Sequence, residues 1–587
     1  GRLVHAVCDG HSYEYAYDSH GNLKEKRSNG KLLVAYTYDS TGNITEIKDP
    51  AGISTRYEYD LLGRMTCIHS GQGMNVQYGY DSLDRIEHIH YGNGVQTNYA
   101  YDCDGNISHL ETRTESAVLL SFDYKYDGNG NRTAKTGIQG LTAGSSALDI
   151  RYQYDVRGQL LEECRNGAAV RYAYDAAGNR LRKTEGEKET RYRYNQKNQL
   201  FQKEDGDGIS CFTYDRQGGI IEEKTAAGNR RFTYNSLHQQ TQVETETGNI
   251  QKNRYDAEGL RYELIENGRR TSFVYHNGEL LHEKGGEAGL SKEATSYHLG
   301  AGIEAFQRDS KTYYYHQDEQ LNTTLITDEE RKLRNHYQYD AFGAGLEAVE
   351  ALPNRIRYTG QQYDEQTEQY YLRARYYNPI LGRFMQEDVY QGDGLNLYAY
   401  CRNSPVVYYD PSGYIKAGTI ANRLASILKN KKKALTAKSF PAVFKKKQKI
   451  KVYLGMEFDK TTQKYKSTYV GITTMKINKR WNKHKKDGKN FVELVQIAEF
   501  EHRYKAKGYE QTIIEFKTDP RLNTGETYIN EINSIDRIKK KVLYDQATEW
   551  AILDMYNKGF LSEKGELLIP AQFEKKYNEE HKNSSCS

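Results

Sequence analysis

The residues best placed to do chemistry gather toward the C-terminal end of this 587-residue chain. In MKINKRWNKHKK, Arg480 and His484 lie four residues apart, on one face of the helix that this stretch predicts. Glu549 interrupts the otherwise apolar helical pattern YDQATEWAILDMYN. Tyr453 and Tyr469 belong to two β-rich segments, KVYLGMEF and STYVGITT, which the polar DKTTQKYK separates, so they read as an antiparallel hairpin. A guanidinium, an imidazole, tyrosine hydroxyls and a carboxylate are types that phosphodiester hydrolysis calls on. That reaction needs a base for water, a cation for charge on the phosphate, and often a metal opposing the leaving oxygen. Taken singly, each residue also has a plain structural reading. The tyrosines suit strand packing, Arg480 and His484 an exposed helix face, and Glu549 an ion pair with a lysine.

What surrounds these residues is basic. From Ile415 onward the chain holds 36 Lys and Arg against 20 Asp and Glu, a charge of +16, whereas the preceding part holds 47 against 59, or −12. An acidic body joined to a basic tail reads as two functions, the tail being the candidate for a polyanionic partner. Between them, KNKKKALTAK and FKKKQKIK form a lysine-rich stretch that reads as a solvated linker or as a phosphate-attracting segment.

Composition narrows the class of the body. There are 52 Tyr and 51 Gly against 8 Pro and 2 Trp, which suits pleated strands and excludes collagen. Mean hydropathy is −0.88, but aromatics make up 12% and supply the buried area that disordered chains lack. No stretch approaches the roughly 20 apolar residues of a membrane span. The chain begins at Gly1 without a basic and apolar leader, as a piece of something longer would. Seven scattered Cys form no CxxC pair, so neither a disulfide framework nor a zinc site is indicated.

The body is repetitive. Tyr17-Asp18, Tyr38-Asp39, Tyr59-Asp60, Tyr80-Asp81 and Tyr101-Asp102 recur at a spacing of 21, and the period resumes at about 20 from Tyr154 to Tyr275. Each unit has the form Tyr-x-Tyr-Asp-x-x-Gly-Asn/Arg, as in YEYDLLGRM. Alternation puts both rings on one strand face, Asp opens a turn, Gly supplies positive φ, and an apolar residue starts the returning strand. One hairpin cannot bury its aromatic face alone; stacked hairpins can. The expectation is a long, spirally wound antiparallel sheet.

This pattern resembles the YD repeats of Rhs and insecticidal toxin-complex proteins, shared with teneurins and bacterial wall-associated proteins. The resemblance implies a hollow β-cocoon. From Tyr313 to Tyr414 the sequence resembles the Rhs core, through YYYHQDEQLNTTLITDEERKLRNHYQYDAFG, RYTGQQYDEQTEQYYLRARYYNPILGRFMQED and GLNLYAYCRNSPVVYYDPSGY. In that family the core ends at DPxG, here Asp410 to Gly413, after which a toxin begins. The resemblance implies self-cleavage between Tyr414 and Ile415 by the carboxylate pair Asp388 and Asp410, with Arg383 as a candidate anchor. Two carboxylates suit such work when neighbouring charge separates their pKa values. Val389 stands where Pro commonly follows the first Asp, and Tyr414 replaces the usual Leu.

The tail resembles the GIY-YIG nucleases. KVYL carries the first tyrosine, Tyr453; TYVG carries the second, Tyr469; KRWNKH matches the family helix with Arg480 and His484; and Glu549 matches the metal-binding glutamate. The implied roles are a base or its orienter for either tyrosine, a phosphate clamp for Arg480, proton transfer or positioning for His484, and a ligand to one Mg²⁺ or another divalent cation for Glu549. Lys451-Val452 replaces Gly-Ile of the first motif. The expected fold is mostly β: a YD-repeat shell over 1–312, an Rhs core over 313–414, a basic linker over 415–449, and a small α/β nuclease-like domain over 450–587. The implied partners are DNA, with RNA possible, a cognate immunity protein and a delivery apparatus. The implied location is secreted or cell-surface delivered, with the tail acting in a target-cell cytoplasm. Two other classes stay open: a toxin with a non-nuclease activity, and a cell-surface adhesion or carbohydrate-binding protein with a nucleic-acid-binding tail.

Overall fold

The computed structural model describes residues 2–8, 11–71, 73–140, 147–286, 294–389, 396–414, 447–459, 464–473 and 493–502. The chain divides into two compact units, Gly1–Lys431 and Lys432–Ser587. Among the described residues the first holds an antiparallel sheet of 33 strands, from His5–Cys8 to Gly345–Glu350, followed by a four-stranded sheet. Helical structure among the described residues is confined to short 3-10 turns such as Tyr358–Gly360, and none of it is long and apolar enough to cross a membrane.

The repeat builds one hairpin per unit in a constant way. In the unit around Tyr59, strands Ser54–Tyr59 and Met65–Ser70 pair until the register slips by one residue before Tyr59. There the Asp60 carboxylate accepts the backbone N–H groups of Leu62 and Arg64 at 2.9 and 2.8 Å. Gly63, at φ +75°, closes the turn by donating to the Asp60 carbonyl at 2.8 Å. This is an Asx turn, and it satisfies backbone groups that a four-residue reversal would otherwise leave unpaired.

The two tyrosines of a unit divide the work. The first, as at Tyr36 and Tyr57, is buried in the core. The second, as at Tyr38, Tyr59 and Tyr234, packs against the same core at its margin, or within it as at Tyr275, and points its hydroxyl at the preceding unit. Tyr59 Oη donates to the Ile44 carbonyl at 2.8 Å, Tyr38 to Leu23 at 2.7 Å, Tyr234 to Ile220 at 2.9 Å and Tyr275 to Arg261 at 2.9 Å. Each acceptor lies in the first residue of the preceding unit's returning strand, where the bulge has freed a carbonyl from the ladder. Composition alone predicts wall packing for these rings; the directed hydroxyl is an addition.

The ribbon of hairpins returns to itself. Tyr13 Oη donates to the Asp256 carboxylate at 2.8 Å, Thr55 meets His298 at 2.8 Å and Asn93 donates to the Asp328 carbonyl at 2.8 Å. These contacts join residues 243, 243 and 235 positions apart, which is the pitch of a spiral of about one coil per dozen hairpins. Beyond the last strand, Gln362–Asp364, Gln369–Tyr371, Tyr376–Asn378 and Arg383–Phe384 form the small sheet. It is fastened to the repeats by Arg261 and Asp364, both fully buried, with Arg261 Nη2 donating to Asp364 Oδ1 at 2.9 Å.

In the second unit, Lys447–Asp459 is the central strand between Lys464–Thr473 and Glu493–His502, all antiparallel. The expected hairpin is present, and its strands run further into the polar connection, pairing Phe458 with Tyr465 and Asp459 with Lys464. The helices expected in this unit lie outside the described residues.

Tyr59→Phe removes a hydrogen bond while keeping the ring, so it should lower unfolding stability by about 1 kcal/mol. Tyr59→Ala, which also leaves a cavity, should cost about 3–5 kcal/mol. Denaturant midpoints of the two variants check both.

Candidate active site

Two carboxylates and one guanidinium meet where the small sheet runs out. Arg375 opens the strand Tyr376–Asn378 after a tight reversal in which Leu372 N–H donates to the Arg375 carbonyl at 3.0 Å. Ala374 N–H donates to the Ser412 carbonyl at 3.1 Å, so the reversal is tied to the Asp-Pro-Ser-Gly turn. In that turn Asp410 Oδ1 accepts the N–H groups of Ser412 and Gly413 at 3.0 and 2.8 Å. Gly413 is required: its φ is +76°, and a Cβ there would stand 2.5 Å from the Leu372 carbonyl oxygen. Asp388 follows the strand Arg383–Phe384 and is held by its N–H donating to the Leu397 carbonyl at 3.0 Å.

The guanidinium of Arg375 connects these pieces. Nη2 lies 2.7 Å from Asp388 Oδ2 and 3.8 Å from Asp410 Oδ2, Nη1 donates to the Leu397 carbonyl at 3.0 Å, and Nε donates to the Gly413 carbonyl. Its flat face lies over the Phe384 ring, 3.6 Å from the centroid. Arg375, Asp388 and Asp410 are 5%, 7% and 2% exposed, so one cation faces two carboxylates in a site nearly closed to water. The recess is lined by Arg375, Phe384, Asp388, Asn396, Leu397 and Asp410. Tyr414, directly after the held Gly413 carbonyl, is 43% exposed. The arrangement can therefore fix a backbone carbonyl against a guanidinium with two carboxyl groups at hand, next to a chain segment that is reachable from solvent.

The structure brings Asp388 and Asp410 together about one cation, but that cation is not Arg383. Arg383 donates to the Asn198 carbonyl at 2.6 Å and lies over the rings of Tyr194 and Tyr398, 4.9 Å from each centroid. The reason is strand alternation: Phe384 turns toward Arg375, so its neighbour Arg383 faces the other side. Arg375 is the residue that sequence reasoning passes over. It stands in RARYYN, where nothing distinguishes it from Arg373, which pairs with Glu279 at 3.1 Å.

In the second unit Tyr453 is opposite Gly471 and Tyr469 is opposite Gly455, on adjacent strands two rungs apart. Arg480, His484 and Glu549 lie outside the described residues.

Residues 2–137 and 110–406 match the family model described as Teneurin YD-shell, which spans more than half of the 587 residues. The chain belongs to the teneurin YD-shell family. Among curated proteins this YD-shell is 36% identical over 171 residues to the tRNA3(Ser)-specific nuclease WapA of Bacillus spizizenii, covering 27% of this chain and 7% of that protein. It is 34% identical over 108 residues to the toxin protein Tse5 of Pseudomonas aeruginosa, covering 18% of this chain and 8% of that one. The chain thus spans less than a tenth of the length of these relatives. Among solved structures, the crystal structure of TcdB2-TccC3 superposes with a TM-score of 0.61 at 19% identity, over 70% of this chain and 25% of that one. At that identity the match shows the shell fold alone, in which the chain is an Rhs/YD-repeat shell.

Arg375→Met removes a buried guanidinium from beside two buried carboxylates and should destabilise the first unit by about 3–5 kcal/mol. Adding Asp388→Asn to it should restore part of the loss. Urea midpoints of the single and double variants, beside Arg383→Met, check this assignment.

Proposed function

We propose that the chain is the shell-and-cargo part of an Rhs-type toxin: the shell cuts itself between Tyr414 and Ile415 and frees a C-terminal, metal-dependent nuclease. The observation that carries the first half is the Arg375 guanidinium, shared by Asp388 and Asp410 and bound to the Gly413 carbonyl one residue before the bond to be cut. Water adds to the Tyr414 carbonyl carbon. One carboxylate takes a proton from that water, and the other carboxyl gives a proton to the Ile415 nitrogen as the C–N bond breaks. The Asp-Pro-Ser-Gly turn and Arg375 hold the Gly413 carbonyl, which fixes the following peptide for attack. Phe384 and the burial of all three charged groups keep bulk water from competing for their hydrogen bonds.

The second half rests on the resemblance of Tyr453, Tyr469, Arg480, His484 and Glu549 to a nuclease constellation, and on the +16 charge from Ile415 onward. The tRNA nuclease relative supports RNA as a substrate beside DNA. Bound at Glu549, Mg²⁺ or another divalent cation would supply Lewis-acid stabilisation at the phosphate. Arg480 would bind the phosphate, and His484 with a tyrosine hydroxyl would position and deprotonate water. The toxin reading places the protein outside the producing cell, carried by a delivery apparatus, with its tail acting in a target cytoplasm and blocked in the producer by an immunity protein. The toxin relative supports that reading.

Purified chain should resolve on a denaturing gel into two fragments, the smaller with Ile415 at its N-terminus. Asp388→Asn and Asp410→Asn should each slow the cut by about 10²- to 10⁴-fold. A wild-type chain that stays whole would remove the cleavage reading. Separately, the wild type with Mg²⁺ should degrade plasmid DNA or tRNA while Glu549→Ala does not. Equal strand loss by both would sink the metal assignment.

A further inference from the structure

Where the second coil of the first unit meets the first, several of the contacts are made by histidine. His276 Nδ1 lies 3.1 Å from the Tyr36 hydroxyl. His298 Nδ1 lies 2.8 Å from Thr55 Oγ1. The His316 ring stands edge-on to Tyr91 with centroids 4.8 Å apart, and its Nε2 is 2.8 Å from Thr327 Oγ1. His282 Nδ1 lies 3.2 Å from the Asp49 carboxylate and 3.3 Å from Ser296 Oγ. From the other side, His11 stacks on Tyr262 at 4.2 Å. Apart from His282, these rings meet hydroxyls or aromatic rings, groups that suit a neutral imidazole and carry no opposing charge for a protonated one.

We propose that the seam between the coils is an acid-labile closure, in which protonation of His276, His298 and His316 parts the second coil from the first while the hairpin ladders within each coil stay paired. The inference stands on the first unit alone and does not depend on the tail being a nuclease.

The charged surroundings of each ring support this. His316 feels burial only, and its Nδ1 has no hydrogen-bond partner, so a proton there becomes a buried donor without an acceptor. His276 is half-buried between Tyr36 and Asn277, with Glu279 as the nearby opposing charge. His298 is buried between Thr55 and Gln307, and the Asp49 carboxylate only partly offsets that burial. Burial holds His276 and His298 down to about 4 and His316 to about 3, from an ordinary 6.5. His11 is likewise lowered by burial, against Asp256 and Glu263 and with Lys26. His282 faces Asp49 directly and is not among the three.

The sign follows from linkage. A ring that titrates lower in the closed seam than in the open one favours closure fully above its ordinary value, and that preference is lost as pH falls from 6.5 toward 4. Each such ring shifts the balance toward opening by about tenfold per pH unit in that window. Three together amount to roughly 10⁴-fold between pH 7.5 and pH 5.0.

Hydrogen exchange on the full chain at pH 7.5 and 5.0, corrected for intrinsic rates, tests this. The turn around Ala301, whose N–H donates to the Tyr78 hydroxyl across the seam at 3.2 Å, should exchange about 10³- to 10⁴-fold faster at pH 5.0. The strand Lys188–Tyr194, paired on both sides with neighbouring strands of its own coil, should stay protected. The triple variant His276→Asn, His298→Asn and His316→Gln keeps the nitrogen each ring uses and should lose the response. If that variant does not fold, each single variant should reduce the response by about 30-fold. The proposal is overturned by a seam that exchanges equally at both pH values, by variants that respond like the parent, or by loss of protection in Lys188–Tyr194 together with the seam.

Discussion

The fold depends on a single constraint: a hairpin whose polar turn is complete but whose aromatic face is bare has no stability by itself. The repeat meets it with two tyrosines. One ring goes into the core, and the other reaches sideways so that its hydroxyl closes the carbonyl that the preceding bulge has opened, as Tyr59 does with Ile44. A unit therefore supplies part of its neighbour's hydrogen bonding as well as its packing. The same bulge that ends one ladder creates the acceptor for the next tyrosine, which explains why the register slip and the Tyr-Asp pair recur together at Tyr38, Tyr59 and Tyr80. Stability in such an array is carried by nearest neighbours, and an unbroken run of hairpins follows from it.

That one-dimensional logic stops where the small sheet begins. The four short strands after Gln362 have too few ladder bonds to stand alone, and they are fixed through side chains instead. Arg261 and Asp364, both fully buried, tie them to the repeats. Tyr358, Tyr370, Tyr377 and Tyr400 fill the space between, Tyr377 and Tyr400 stacking at 4.1 Å. A site on this platform inherits its rigidity. The Asp-Pro-Ser-Gly turn sits on the Leu372–Arg375 reversal by backbone contacts that admit no side chain at Gly413, so the carbonyl it offers to Arg375 has little freedom to move.

How much of this could be read from sequence divides along the same line. The hairpins were legible because period, turn residue and strand pattern all repeat, so each unit confirms the next. The meeting of Asp388 and Asp410 was legible only through a motif, since 21 residues separate them and their spacing follows no strand or helix period. Arg375 was not legible, because which of several arginines faces a site is decided by strand alternation and by one tight reversal, neither of which leaves a spacing signal. Arg383 failed as the anchor for the same reason: a two-residue strand sets its direction, and Phe384 already occupies the side that faces the carboxylates. The coil-to-coil contacts were the least legible, since Tyr13 and Asp256 stand 243 residues apart and no local pattern predicts a spiral's pitch.

Two kinds of joint thus hold the first unit. Within a coil, every hairpin is bonded to its neighbours by a full ladder, and opening one means breaking many backbone bonds at once. Between coils the joint is made of side chains, among them Tyr13 with Asp256, Lys26 with Glu258 at 2.5 Å, and Thr55 with His298. Most of these pairs include a group whose charge depends on pH, whereas the ladders include none. A shell built in this way resists a general disturbance through its ladders and yields to a chemical one at its seam. The seam is therefore where a wall so extensively hydrogen-bonded can part without unfolding.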